Sequence, residues 1–278
     1  MVTAYRYVTQ TGCLPTSRLS PSRGRRKAAF GSSGATSRTP RSFRGPSLAP
    51  VELIFIRHGQ PAWSGDDGLV QLDPGLTLLG HEQAGRAADR LAEGEHPLSE
   101  LVVSPARRSQ ETAEPIARRC GLPIETVDDI VEIKMPDWTG LTDETVVKIF
   151  RDAQHRPPEE WWDGLSGGES FRDFHDRVTG ALLGVLERRG VRPDPQREHL
   201  WLVDDPEQRI AVVAHGGTNA VAIGFLLGVA PTPWEWERFI LYHASFARLR
   251  TIPLGGEHVW SLRTFNDREH LPAEGRTR

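Results

Sequence analysis

From residue 51 onward, short apolar runs alternate with longer stretches of helical period. Residues 51–56 and 210–214 are rich in β-branched and other apolar residues, a composition typical of strands buried on both faces. A shorter run lies at 101–103, and strand-like stretches recur at 239–250 and 258–265. Each of these five segments predicts a β-strand.

Helical period marks the segments between the strands. In residues 170–189 the apolar side chains recur every three or four positions, which predicts an amphipathic helix. Ser104 is the predicted N-cap of another helix, and Gly121 is predicted to end it. Further helices are predicted at residues 76–91 and at about 218–227.

The alternation of strands and helices predicts a single α/β domain over about residues 51–270. Parallel neighbouring strands need a helical crossover between them, so this order favours a mostly parallel sheet. Residues 190–209 are polar and rich in charge, and we expect them to form a surface excursion from the domain.

Residues 1–50 differ sharply in composition from the rest of the chain. They contain eight Arg, one Lys and no acidic residue, and they are rich in Ser, Gly and Pro. Such a segment cannot bury enough apolar surface to offset the entropy lost on folding. We therefore predict that residues 1–50 are disordered.

Three explanations are open for this basic segment. An Arg- and Ser-rich composition without acids is typical of an organelle transit peptide. It would also suit an electrostatic tail for an anionic partner. The third explanation is that translation starts later and the segment is an extension of the gene model. Arg outnumbers Lys 31 to 3 along the chain, a bias of GC-rich bacterial genes that favours the third explanation.

Composition and charge exclude several classes of protein. The longest nearly apolar run, residues 220–230, is too short to span a bilayer. Beyond residue 50, 25 basic and 37 acidic groups give a net charge of −12, which argues against broad nucleic-acid binding. With Cys13 and Cys120 alone, no disulfide framework is available. We expect a cytoplasmic protein with no membrane or nucleic-acid partner.

Candidate chemistry gathers where the predicted strands end. His58-Gly59 follows the first strand and His215-Gly216 follows the strand at 210–214. Ligands of open α/β sheets bind beyond the carboxyl ends of strands, so both histidines are predicted to lie at the functional edge. A glycine after each histidine lets the backbone approach a ligand closely.

Cations and a carboxylate are predicted at the same edge. Arg57 precedes His58, Arg108 lies at a helix start after the strand at 101–103, and Glu132 lies in an exposed segment. Guanidinium groups bind phosphate oxygens in a bidentate manner, a neutral imidazole can attack phosphorus, and a carboxylic acid can protonate a leaving oxygen. The set suits phosphoryl transfer.

Four ordered motifs resemble those of the histidine phosphatase superfamily, whose fold is phosphoglycerate-mutase-like. They are Arg57-His58-Gly59, the SPxRRxxxTA pattern of residues 104–113, Glu132 ahead of Trp138-x-Gly140, and His215-Gly216-Gly217. The resemblance covers about residues 51–265. It implies a three-layer α/β/α sandwich around a mostly parallel sheet.

The resemblance also implies a role for each matching residue. His58 would be the nucleophile that carries the phosphoryl group, and Glu132 would protonate the leaving oxygen. His215, Arg57 and Arg108 would hold the phosphate, with Gly59 and Gly216 as supporting backbone. No metal or other cofactor is expected, because the arginines supply the positive charge. The implied partner is a phosphorylated small-molecule substrate.

Several positions depart from the family pattern. Pro61 and Ser64 stand where Thr or Ser and Asn are common, and His243 stands where Asn is often seen. The predicted substrate rim comprises Gln60, Ser64, Trp161 and Trp162, although packing is an equal alternative for the two tryptophans.

Two alternatives to a phosphatase are open. The same fold would also support phosphoglycerate-mutase-type phosphoryl transfer or non-catalytic binding of a phosphorylated ligand or protein. The segment around Glu132 lacks the Arg- and Asn-rich stretch of the mutase branch, which favours a phosphatase. Neither the physiological substrate nor the oligomeric state can be read from the sequence.

Overall fold

The computed structural model describes residues 50–64, 69–94 and 96–278. The prediction of disorder falls, except for Pro50, on residues outside these ranges and stays a prediction, as does the domain boundary near residue 50. The strands are β1 (Glu52–Arg57), β2 (Glu100–Val103), β3 (Ile124–Thr126), β4 (Val191–Pro193), β5 (Trp201–Val203), β6 (Arg209–Ala214), β7 (Phe246–Leu254) and β8 (Glu257–Asp267). The helices are α1 (Leu78–Ala92), α2 (Arg107–Cys120), α3 (Asp143–Gln154), α4 (Phe171–Glu187), α5 (Gly216–Leu226) and α6 (Glu235–Arg238).

The sheet is mixed, in the order β3-β2-β6-β1-β7-β8-β5-β4. Strands β3, β2, β6 and β1 are parallel, and β7, β8, β5 and β4 continue the sheet through antiparallel pairs. The antiparallel half is larger than the sequence analysis predicted. Its cause is local: β7 and β8 are joined by Gly255-Gly256, whose φ angles of +60° and +90° form a two-residue hairpin turn that needs no crossover helix.

Helices cover both faces of the sheet. Leu53 and Phe55 of β1 point to one face, where they share a core with residues of α4 and α5. Ile54 and Ile56 point to the other face and pack with residues of α1 and α2. This alternation along a strand buried on both sides produces the three layers. The predicted α/β/α sandwich is confirmed.

The elements differ from the predictions in several places: β3 was not predicted, and the strand predicted at 239–250 begins only at Phe246. Ser104 does not cap α2, because Ala106 occupies the N-cap position and makes no side-chain cap bond. Residues 190–209 hold the short strands β4 and β5 rather than a simple excursion. Helix α3 was not predicted, although its buried Val146 and Ala153 lie seven residues apart, a helical spacing that could have indicated it. Gly121 ends α2 as predicted, with a φ of +67°.

An ion pair network around the buried Glu52 carboxylate ties β1 to its neighbours. The Glu52 carboxylate accepts hydrogen bonds from Arg209 of β6 at 2.6 Å and from Arg250 of β7 at 2.8 Å. These arginines lower the pKa of Glu52 against the opposing effect of burial. The three central strands are therefore tied at the end opposite the candidate site.

Within the described ranges, no helix is both long and apolar enough to cross a bilayer.

Candidate active site

The carboxyl ends of β1 and β6 bring the two predicted histidines together. The strands are parallel neighbours in which Arg57 pairs with Ala214, so His58 and His215 follow at the same edge of the sheet. Their ring centroids lie 5.2 Å apart, and both side chains are buried. The sequence prediction of a shared edge is therefore matched by the geometry.

His58 has one ring nitrogen engaged by the backbone. Its Nδ1 lies 2.7 Å from the Gly59 carbonyl oxygen. A carbonyl only accepts, so Nδ1 carries the proton and Nε2 keeps its lone pair. Burial, together with the nearby Arg108 and His215, holds the pKa of His58 well below its usual value. The ring is therefore neutral, with a nucleophilic Nε2.

His215 is held in the opposite tautomer. Its Nδ1 lies 3.1 Å from an Arg108 guanidinium nitrogen, which only donates. The proton therefore resides on Nε2, which donates to the Ser104 hydroxyl oxygen at 2.7 Å. Burial, Arg108 and Arg57 keep the pKa of His215 well below its usual value. Ser104, predicted as a helix cap, instead accepts from the Nε2–H of the tautomer that Arg108 sets.

Two buried guanidinium groups flank the histidines. Arg57 donates to the Leu241 carbonyl at 2.7 Å, and burial lowers its pKa to about 10, an effect that Glu132 partly opposes. Arg108 lies with its guanidinium carbon 4.8 Å from the centre of the Trp63 ring. The Nε atoms of both arginines are buried and have no hydrogen-bond partner among the described residues. Both therefore retain a donor for an anion.

Arg108, rather than its neighbour Arg107, faces this site. Arg107 is exposed and its Nε donates to Glu111 at 2.7 Å, away from the histidines. Arg108 is only 5% exposed. The choice made from motif spacing therefore agrees with the placement of the side chains.

Glu132 lies at the start of α5. Its carboxylate accepts from the Gly217 N–H at 2.9 Å and the Thr218 N–H at 3.1 Å. A carboxylate beside the first N–H groups of a helix is stabilised by their unsatisfied donors and by the helix dipole. An added Cβ at Gly217 would lie 2.5 Å from Glu132 Oε1, so only glycine allows this approach.

Arg177 of α4 holds the segment that carries Glu132. It donates to the carbonyl oxygens of Asp129 at 2.7 Å and Val131 at 3.1 Å, and it forms a 2.7 Å ion pair with Glu169. Both charged side chains of this pair are nearly buried. Arg177 was not identified from the sequence, because its role depends on carbonyl groups that the fold brings to it.

The two predicted glycines contribute differently. A Cβ at Gly59 would lie 2.6 Å from the Gly80 carbonyl oxygen, and the Gly59 N–H donates to the Thr112 hydroxyl at 2.9 Å. At Gly216 an added Cβ would meet Arg57 at 3.7 Å, an ordinary contact. The steric requirement near α5 therefore lies at Gly217, one residue beyond the predicted position.

The predicted rim residues are engaged elsewhere. The Gln60 side-chain oxygen accepts from Thr77 at 2.9 Å, and the Ser64 hydroxyl donates to Asp143 at 2.8 Å. Trp161 Nε1 donates to the Arg156 carbonyl, and Trp162 lies beneath the Arg172 guanidinium. Both tryptophans pack against the core on the α4 side. These contacts favour the packing alternative for the tryptophans, and the rim assignment stays a prediction.

His243 joins the site although the sequence analysis noted it only as a departure. Its ring centroid lies 5.7 Å from that of His58, and its side chain is fully buried. Its Nδ1 lies 2.9 Å from the Thr277 hydroxyl. Sequence spacing gave no signal for this approach, because His243 and Thr277 reach the site from loops far along the chain.

Charge and donors at this edge suit a phosphate dianion. Two guanidinium groups and a neutral imidazole that can attack phosphorus lie within one buried cluster. No group of three or more His, Cys, Asp or Glu side chains is arranged to hold a metal ion in the part of the chain that the structure describes.

Comparison with known proteins identifies relatives of the whole domain. Residues 53–268 match the family model of the histidine phosphatase superfamily, branch 1. A glucosyl-3-phosphoglycerate phosphatase of Mycolicibacterium vanbaalenii is 32% identical over 185 residues, which are 66% of this chain and 76% of that protein. Phosphoglycerate mutase-like protein 4 of Arabidopsis thaliana is 28% identical over 229 residues, which are 81% of this chain and 89% of that protein.

Solved structures give the same picture. A protein titled mycobacterial hydrolase 1 superposes with a TM-score of 0.60 at 26% identity, covering 78% of this chain and 99% of that chain. A mycobacterial glucosyl-3-phosphoglycerate phosphatase in complex with inorganic phosphate gives a TM-score of 0.58 at 27% identity, covering 80% of this chain and 100% of that chain. The predicted phosphoglycerate-mutase-like fold is confirmed.

Proposed function

Because this chain belongs to the histidine phosphatase superfamily and is a phosphatase, we propose that it hydrolyses the phosphomonoester of a small molecule through a phosphohistidine on His58. One observation carries the proposal. The neutral His58 ring, fixed through Nδ1 on the Gly59 carbonyl, lies among Arg57, Arg108 and His215. That arrangement supports both phosphate binding and attack on phosphorus.

The first step transfers the phosphoryl group to the protein. His58 Nε2 attacks phosphorus, the bond to the substrate oxygen breaks, and the protonated form of Glu132 gives its proton to that leaving oxygen. Arg57 and Arg108 stabilise the charge on the non-bridging oxygens. The supporting backbone is the Gly59 turn and the start of α5 at Gly216, where helix N–H groups favour negative charge.

The second step regenerates the protein. Glu132, now ionised, accepts a proton from a water molecule as that water attacks phosphorus. The N–P bond breaks, inorganic phosphate leaves, and His58 regains its lone pair on Nε2. His215 stays neutral throughout, with Nδ1 held by Arg108 and Nε2–H by Ser104, so it orients Arg108 without adding a third full charge.

The name of a relative supports a substrate class to test first. A relative is named a glucosyl-3-phosphoglycerate phosphatase, so phosphorylated glycerate and sugar derivatives are the first candidates to assay. A cytoplasmic location and the lack of nucleic-acid and membrane partners stay predictions.

Turnover of p-nitrophenyl phosphate by His58→Ala tests the mechanism. Hydrolysis should fall by at least about a thousandfold, because the covalent route is lost. The wild-type protein, quenched during turnover, should yield a phosphoenzyme that is stable to alkali and labile to acid. His81→Ala, an exposed histidine of α1, is the matched control and should retain full activity. Turnover that survives His58→Ala would contradict the phosphohistidine.

Product analysis separates hydrolysis from the alternatives. Release of free phosphate from 3-phosphoglycerate or glucosyl-3-phosphoglycerate indicates a phosphatase. A phosphorylated isomer without free phosphate would indicate a mutase. Binding of these compounds without either product would indicate a non-catalytic ligand-binding protein.

A further inference from the structure

His243 is fixed relative to His58 by the backbone between them. The N–H of Ala244 donates to the carbonyl oxygens of Arg57 at 3.0 Å and His58 at 3.2 Å. The His243 side chain is fully buried, and its ring is tilted by 38° against the His58 ring at a centroid distance of 5.7 Å. The two rings therefore lie beside each other within one buried cluster.

The protonation state of the His243 ring can be derived from Gln83 and Thr277. The Gln83 side-chain oxygen must accept from the Gln60 N–H, 2.8 Å away, which fixes the orientation of the amide. Its Nε2 then donates to the Gly275 carbonyl at 2.8 Å and to the Thr277 hydroxyl oxygen at 2.9 Å. The Thr277 oxygen therefore accepts from Gln83, whose amide has no acceptor to offer it, and His243 is the one remaining partner for the hydroxyl hydrogen among the described residues.

The hydroxyl hydrogen of Thr277 has a partner at His243. Nδ1 of His243 lies 2.9 Å from the Thr277 oxygen and accepts this hydrogen. A neutral imidazole with an accepting Nδ1 carries its proton on Nε2. Burial and the positive charge of Arg57 hold the pKa of His243 well below its usual value, so the ring is neutral.

Nε2 of His243 has no hydrogen-bond partner among the described residues, although it is buried. A buried N–H without a partner is costly, and such groups in native proteins call for an explanation. The Nε atoms of Arg57 and Arg108 share this condition in the same cluster. Three unpartnered donors around one neutral histidine indicate a common anionic acceptor.

We propose that His243 is a phosphate-binding residue, whose Nε2–H donates to an oxygen of the phosphoryl group held at His58. The proposal rests on the proposed function, since it needs a phosphate at that position. His243 adds a hydrogen bond without placing a further full charge beside the two arginines. Thr277 acts as a positioning residue, because its hydroxyl directs the proton of His243 to Nε2.

Calorimetric titration with inorganic phosphate tests this role. His243→Phe retains a ring but has no nitrogen at the position of Nε2. His243→Asn has a polar group only at the position of Nδ1. Both variants therefore lose the Nε2–H donor. Their affinity for phosphate should fall by about tenfold to a hundredfold, the range for a hydrogen bond to a charged group. His243→Gln reaches as far as Nε2 and should recover most of the affinity.

A second buried histidine supplies the matched control. His258 of β8 is also buried and has an unpartnered ring nitrogen, but it lies in the pair with β5. His258→Phe should lower the thermal unfolding temperature without altering phosphate affinity. His243→Phe and His243→Asn should alter the affinity even where their unfolding temperature equals that of this control.

Thr277→Val provides a test that does not depend on replacing His243. Loss of the hydroxyl allows the proton to move to Nδ1, and phosphate should bind several-fold more weakly. If His243→Phe does not fold, two measurements test the inference in its place. They are the phosphate affinity of Thr277→Val and the difference in phosphate affinity between His243→Gln and His243→Asn. Wild-type protein that hydrolyses p-nitrophenyl phosphate but binds phosphate within twofold of the folded His243 variants overturns the inference. Wild-type protein without hydrolysis overturns the proposed function instead.

Discussion

Proton positions on three neutral imidazoles determine what the site can bind. His58 carries its proton on Nδ1, whereas His215 carries it on Nε2 because Arg108 occupies the other nitrogen. Each tautomer is set by one partner: the Gly59 carbonyl for His58 and the Arg108 guanidinium for His215. Substituting such a partner therefore changes the hydrogen bonding of the histidine without substituting the histidine itself.

Ser104→Ala should lower kcat/KM by about tenfold, because the buried Nε2–H of His215 loses its acceptor and the ring is held less firmly beside Arg108. The pH profile of kcat/KM should shift at the same time. Ser109→Ala is the matched control, since Ser109 is equally buried and its hydroxyl has no partner among the described residues. An unchanged profile for Ser104→Ala would show that the hydrogen bond is only structural.

Glu132→Gln should separate substrates by their leaving groups. An alkyl phosphate needs a proton on its leaving oxygen, so its kcat should fall by about a hundredfold or more. The p-nitrophenolate ion leaves without a proton and should lose much less. Steady-state kinetics on the two substrates measure the difference. Equal losses on both would contradict proton donation by Glu132.

At the scale of elements, the turn after β1 packs directly on helix α1. Gly59 and Gly80 approach each other so closely that a Cβ on either would collide with the backbone of the other segment. For Gly80 the colliding atom is the Gln60 carbonyl oxygen. A helix that carries none of the reacting groups therefore determines where His58 lies.

Two glycine substitutions within α1 should have opposite effects. Gly80→Ala forces the backbone near Gln60 to move and should lower the free energy of unfolding by about 1–3 kcal/mol, with loss of activity. Gly85→Ala meets nothing within 4 Å and should raise it by about 0.5–1 kcal/mol, because alanine favours the helix. Urea denaturation of both variants measures the two signs. Equal effects would contradict the close packing at Gly80.

Across the whole molecule, the buried histidines make stability depend on pH. Burial lowers the pKa of His58, His215 and His243 well below the usual value, and that of His270 to about 4. In the unfolded chain each returns to about 6.5. Between the folded and unfolded values the unfolded chain binds more protons than the native protein.

The free energy of unfolding should therefore fall as the pH is lowered through about 6.5, by up to about 1.4 kcal/mol per pH unit for each fully buried histidine. Urea denaturation between about pH 8 and about pH 5 measures the slope. His243→Phe should make the slope shallower. A stability that is constant across this range would contradict the neutral, buried state of these rings.

Sequence patterns predicted the parts of the molecule that depend on local chemistry. Because parallel strands align their carboxyl ends, the positions of His58 and His215 directly after two apolar strands were enough to predict that these residues meet. Ser104 was mistaken for a cap because a serine before a helix suits both roles. No local pattern predicted three further residues of the site. Loops bring His243 and Thr277 to it, and the long side chain of Arg177 extends to it from α4.

The central position of β1 has a consequence for the order in which the protein forms. Its residues pair with β6 and β7, so that Glu52 aligns with Arg209 and with Arg250. Contacts between residues this distant along the chain slow folding. The chain loses the entropy of closing long loops before the stabilising contacts between the strands have formed. During synthesis His58 emerges long before Thr277, so the cluster that includes His243 is complete only after Thr277 has left the ribosome. Recovery of enzyme activity after denaturation should thus be among the last signals to return, later than the helical signal of α1 and α2.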